Sequence, residues 1–250
     1  ATGYNLYGQL GDGSKAGRNI FVQVISGGVE AVAAGSYHSM VLKQDGSVWA
    51  TGLNEYGQLG DGSTIERMVY VQVVSSKAKA VAAGNRHSII LMQDGTVWCA
   101  GSNTYGQIGV GWTASSDTFV RVNSGAKAIA AGSRHSMVLQ ENGSVLATGY
   151  NLYGQLGDRS TVNTDKFVQV ISDEVQAVAA GAYHTMVITR EGSILAAGLN
   201  AEGQFGDGST TSKHVFTKLT PFTNGSNMCM TCVYLCTLSR LVDCHNALNS

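Results

Sequence analysis

Hydrophobic and polar positions along the chain run in a short cycle. VEAVAAG at 29–35 is a brief apolar run closed by glycine, the pattern of a buried strand. HSMVLK at 38–43 alternates, with Met40 and Leu42 on one face and Ser39, Val41 and Lys43 on the other. Asp45-Gly46 separates it from the next apolar run, SVWATG. Asp-Gly between two such runs signals a hairpin, and a type I′ turn, with positive φ at both central residues, is expected there. Parallel turns stand at Asp94-Gly95, Asn142-Gly143 and Glu191-Gly192, the last fitting least well because Glu disfavours positive φ. A glycine-rich loop follows, and VYVQVVS at 69–75 reads as a fourth, β-branched strand. No helical period of 3.6 appears before the C-terminal tail.

The cycle repeats. GYNLYGQLG at 3–11 returns as GLNEYGQLG at 52–60, GSNTYGQIG at 101–109, GYNLYGQLG at 149–157 and GLNAEGQFG at 198–206, with starts 49, 49, 48 and 49 residues apart. In phase with it run AAGSYHSM at 33–40, AAGNRHSI at 82–89, AAGSRHSM at 130–137 and AAGAYHTM at 179–186. Four strands in a unit of this length, joined by hairpins and repeated in tandem, make a propeller blade. The expected fold is all-β: a beta-propeller of four-stranded antiparallel blades at 29–73, 78–122, 126–170 and 175–219, with a partial blade at 1–24 and a divergent tail at 220–250. Alanines crowd the first strand (Ala31, Ala33 and Ala34 in the first unit), as the narrow inner edge of a blade requires, while Trp49, Trp98, Leu146 and Leu195 share one outer position. Cys99 takes the place of Ala50, Ala147 and Ala196 and reads as a small buried hydrophobe. The tail carries no further alanine strand, so an open arc, or a ring of unusual blade number, is expected. An open arc exposes apolar blade faces that favour partner binding or self-association.

Composition narrows the function. Sixteen Lys and Arg against seventeen Asp and Glu leave no basic surplus for binding nucleic acid through its phosphates. No segment has the length of a membrane helix. The chain opens on Ala with no leader-like stretch, and is expected to be a piece of a longer protein or a processed product. A cytoplasmic or nuclear compartment is the expectation. No cofactor is implied.

The glycine-rich loop reads as scaffold. Its glycines supply turns, Asn54 and Gln58 are suited to bonding the loop's own backbone, and Tyr56 and Leu59 to filling the seam between blades. Gly57, Gly106 and Gly154 with Gln58, Gln107 and Gln155 are its structural residues. A phosphate cradle would want a following helix and a Lys beside the last Gly, and neither is present. His38, His87, His135 and His184 recur at one place; a structural role satisfying groups between blades competes with a metal ring near the axis. The residue before each histidine varies: Tyr37, Arg86, Arg134 and Tyr183. Arg and Tyr are favoured at binding hot spots, so these four are candidate partner contacts, against plain solvated loop decoration. Trp112, where Val110-Gly111-Trp112-Thr113 replaces Asp-Gly-Ser-Thr, is a further candidate contact or a side chain folded back on its blade. Cys229, Cys232, Cys236 and Cys244 suit zinc, disulfides or a passive apolar face. Asn142-Gly143-Ser144 and Asn224-Gly225-Ser226 match the glycosylation pattern, one often met by chance.

With G-x-N-x-x-G-Q-L-G joined to A-A-G-x-x-H-S and D-G-x-V at this spacing, the chain resembles the regulator-of-chromosome-condensation repeat family over roughly 3–219. The resemblance implies a propeller, typically seven-bladed. It also implies one of several functions: nucleotide exchange on a small nuclear GTPase, chromatin or ubiquitin-ligase-linked binding, plant ultraviolet-B sensing, or bacterial inhibition and surface display. The photoreceptor pattern places Trp before the Arg-His pair; Ser36, Asn85, Ser133 and Ala182 stand there instead. Exchange activity implies a specialised loop, whereas the repeat spacing never leaves 48–49. The expected function is therefore a non-enzymatic module binding a protein partner, with exchange on a small GTPase as the alternative.

Overall fold

A computed structural model describes residues 1–219. Sixteen strands form four four-stranded antiparallel sheets. The first blade comprises β1 (Val29–Ala34), β2 (His38–Lys43), β3 (Val48–Gly52) and β4 (Arg67–Val74). The second comprises β5 (Ala78–Ala83), β6 (His87–Met92), β7 (Val97–Gly101) and β8 (Ser116–Asn123). The third holds β9 (Ala126–Ala131), β10 (His135–Gln140), β11 (Val145–Gly149) and β12 (Thr164–Ile171). The fourth holds β13 (Val175–Ala180), β14 (His184–Thr189), β15 (Ile194–Gly198) and β16 (Lys213–Lys218). The described residues form an open arc of a beta-propeller, and the loop and bridge of residues 1–24 lie on its first blade.

The core lies between blades. Met40, Leu42, Val48 and Ala50 on one face of the first sheet pack with Leu59 against Ile90 of the second. Ile89, Leu91, Val97 and Cys99 meet Val138 of the third, and Met137, Leu139, Val145 and Ala147 meet Val187 of the fourth. The second and third sheets are thus covered on both faces by neighbouring blades; in the first sheet Val41 is as buried as its alternating neighbours Met40 and Leu42. Cys99 is fully buried in this layer, and burial pushes its thiol far above the usual range.

The hairpin turns are not type I′. Gly46 is at φ 77°, but Asp45 is not at positive φ; Lys43 and Ser47 close the turn through Gly46 N–H to Lys43 O and Lys43 N–H to Ser47 O, both 2.9 Å. A loop that puts only its last residue in the left-handed region needs glycine at that one position. Glu191 therefore sits without strain before Gly192, at φ 79°.

The two ends of the arc differ from its interior. Val32 on the first inner strand is 72% exposed, whereas Val81, Ile129 and Val178 at the same register are half-buried. On the fourth blade Met186, Ile188 and Ile194 are half-buried, whereas Met40, Leu42 and Val48 are closed off. The Cys229, Cys232, Cys236 and Cys244 cluster and the second glycosylation pattern lie outside the described residues.

Candidate partner-binding surface

The β1–β2 and β3–β4 connections of every blade emerge at the same edge, because the strands alternate in direction. The glycine-rich loop leaves its own blade there and lies on the next one. Asn54 ties it together: its Oδ1 accepts from Leu59 N–H at 2.9 Å, and its Nδ2 donates to Asp61 Oδ1, Ser63 O and Ile65 O. Gln58 Oε1 accepts from Tyr56 N–H, turning the loop back on itself. Hydrogen bonds from Ser14 and Arg18 hold the Asp12 carboxyl well below the usual carboxylate range. Asp61 is also lowered, because bonds from Ser63, Arg67 and Asn54 outweigh its partial burial. The third loop has Val110 and Trp112 in place of that Asp and Ser, and Asn103 Nδ2 reaches only Trp112 O.

Three of the four histidines, His38, His87 and His135, are stitched into the seams. Ser88 Oγ donates to Gln58 O at 2.6 Å and lies 2.9 Å from His38 Nε2. Ser136 does the same for Gln107 and His87, and Thr185 for Gln155 and His135. The hydroxyl proton goes to the carbonyl, so the imidazole Nε2–H is the donor to the hydroxyl oxygen. The Nδ1 atoms of His38, His87 and His135 are buried without a partner, and a protonated ring would have no second acceptor. Burial accordingly lowers these groups to about 3, 4 and 3. The rings of His38, His87 and His135 each bond a hydroxyl of the next blade, whereas His184 meets the Phe205 ring edge-to-face; among the described residues no three His, Cys, Asp or Glu side chains are grouped to hold a metal.

On this edge the structure brings the varied residues against tyrosines of the preceding loop. Tyr37 meets Tyr7 edge-to-face at 5.3 Å. Arg86 lies over Tyr56 at 5.0 Å, and Arg134 over Tyr105 at 4.9 Å. Tyr183 meets Tyr153 at 5.4 Å. The same geometry thus occurs at four successive seams with either an aromatic ring or a guanidinium. Tyr4 joins the first pair, and Tyr150 bridges the last two seams, touching Tyr105, Arg134, Tyr153 and Tyr183. Trp112 is 56% exposed and makes no ring contact with this stripe. Sequence reasoning missed Tyr7, Tyr105 and Tyr153 as members of the surface. The signal was present: a tyrosine fills the fifth loop position in four copies, and Glu202 replaces it in the copy with no described blade after it.

Residues 1–239 match the family model of the RCC1-like domain. The chain belongs to the RCC1-like family. Among solved structures this RCC1-like chain is similar to human WBSCR16, with 21% identity, a TM-score of 0.78 and coverage of 90% of this chain and 63% of that one. It is also similar to Prp20p from Saccharomyces cerevisiae, described with its binding properties to Gsp1p and histones, with 20% identity, TM-score 0.72 and coverage of 88% and 56%. Yeast RCC1 (Prp20) bound to Kap60 gives 21% identity, TM-score 0.69 and coverage of 78% and 49%. This RCC1-like chain spans between about half and just under two thirds of the length of those structures, and at these identities the likeness is one of fold. No curated protein matches it in sequence.

Proposed function

We propose that this RCC1-like arc is a non-enzymatic module that docks a protein partner on the edge carrying Tyr37, Arg86, Arg134 and Tyr183. The observation that carries the reading is the recurrence of a half-buried tyrosine–tyrosine or tyrosine–arginine pair at each seam along this edge. Stacked side chains of these two types offer large contact area at low entropic cost, the character of binding hot spots. Trp112 is an outlying candidate contact on a loop held by fewer hydrogen bonds. Relatives of the same fold have been described with protein partners, which supports the reading at the level of protein binding.

The alternative is nucleotide exchange on a small GTPase, for which the described residues show no insertion between blades. The test is recovery of partners from an extract with the whole chain, identification by mass spectrometry, and reconstitution with the purified partner. Tyr183→Ala and Tyr37→Ala should weaken the reconstituted complex about tenfold, a loss typical of hot-spot truncation, with the fold intact by circular dichroism at the assay temperature. Equal affinity of both variants and wild type sinks the reading. Accelerated release of labelled GDP from a small GTPase would favour the alternative.

A further inference from the structure

The seams compare one arginine position in two states. At the first-to-second seam Arg86 stacks on Tyr56 and its Nη1 lies 2.7 Å from Glu55 Oε1, the residue just before that tyrosine. At the next seam Arg134 stacks on Tyr105 in the same way, but Thr104 stands in the place of Glu55. Arg134 has no ion pair among the described residues; its one hydrogen bond runs from Nη1 to Tyr105 Oη at 3.2 Å. Tyr105 and Tyr150 lie against the guanidinium, 4.9 and 5.9 Å from ring centroid to Cζ, and apart from the Nη1 bond to Tyr105 its N–H donors have no protein acceptor among the described residues. A planar fork held against two rings is prepared for an in-plane carboxylate.

Resting on the docking surface proposed above, we infer that Arg134 takes a carboxylate from the partner, an Asp or Glu side chain of a protein segment lying across this edge. Glu55 on Arg86 is the same contact made within the chain. Leu152, 57% exposed on the following loop, occupies the register of Glu55 and Thr104 one seam further on and offers an apolar contact to the same segment. The segment that fits is an acidic residue flanked by an apolar or aromatic one.

The test uses fluorescence anisotropy with the whole chain and two fluorescein-labelled ten-residue peptides. One carries two Glu flanked by Leu and Trp; the other has Gln in place of both. The Glu peptide should bind about tenfold more tightly, the worth of one charge-assisted contact. Thr104→Glu, at an exposed position, should supply the carboxylate in cis and remove about tenfold of that affinity without touching the arginine. Glu55→Gln should free Arg86 and add a second site for the Glu peptide. Equal binding of the two peptides, no binding of either, or indifference to Thr104→Glu overturns the inference. If the peptides bind equally and Tyr183→Ala abolishes both, the surface stands and only the carboxylate falls. If reconstituted partner binding ignores the face variants, the surface itself falls.

Discussion

Removing the Ser88 hydroxyl tests whether the histidine stitch holds the blades together. Ser88 is fully buried, His38 is 1% exposed and Gln58 is closed off, so water does not reach the seam. Ser88→Ala leaves the His38 Nε2–H without an acceptor and the Gln58 carbonyl without a donor. Each orphaned buried group costs about 1–3 kcal/mol, so the variant should lose about 2–6 kcal/mol. The chain contains its own control. Ser39 occupies the same position on the first blade, donates to Gln9 O at 2.8 Å and has no histidine behind it. Ser39→Ala removes the bond to Gln9 O at a half-buried site that also faces the Tyr70 hydroxyl, orphans no histidine, and should cost about 1 kcal/mol. Urea unfolding reads the totals. Because blades in a tandem array open unevenly, native-state hydrogen exchange on residues 54–63 locates the loss. A cost for Ser88→Ala no greater than that for Ser39→Ala would refute the stitch.

Acid should act on the same seams. The His38, His87 and His135 pKa values in the folded chain lie near 3, 4 and 3, below the unfolded value of about 6.5. Their neutral rings are therefore fully stabilising above pH 6.5, and stability declines as pH falls toward 4, with a slope of at most about 1.4 kcal/mol per unit for each ring. The lowered carboxyls of Asp12, Asp45 and Asp61 add their loss only below about pH 4. Urea midpoints that stay flat from pH 7 to 4.5 would contradict this. Glycines in the loops offer a second contrast. A Cβ on Gly60 would sit 2.3 Å from the Phe119 ring at φ +71°, while one on Gly206, at φ +63°, meets nothing within 4 Å among the described residues. Gly206→Ala should cost about 1 kcal/mol and Gly60→Ala at least about 2 kcal/mol more, measured by thermal or urea midpoints.

The sequence alone determined the fold class, because its strongest demands are local. The period of each unit, the alanine inner strand, the Asp-Gly and Asn-Gly punctuation and the recurring Asn all act within about one unit's length. Tertiary structure decided whatever depends on a neighbouring blade. Nothing in AAGSYHSM says that His38 bonds a serine fifty residues on, or that Ser88 spans both the histidine and the loop carbonyl; these contacts exist only after blades stack. The turn before each inner strand is another case. Gly28 and Gly125 occupy positive φ there, and so do Lys77 and Glu174, at 67° and 66°, so packing overrides residue preference. The Tyr/Arg stripe was half legible for the same reason. The varied residue before each histidine stood out along the chain, but its tyrosine partner belongs to the preceding unit and lies about thirty residues away. Side chains that distant in sequence become neighbours only because each loop crosses the seam and rests on the next sheet.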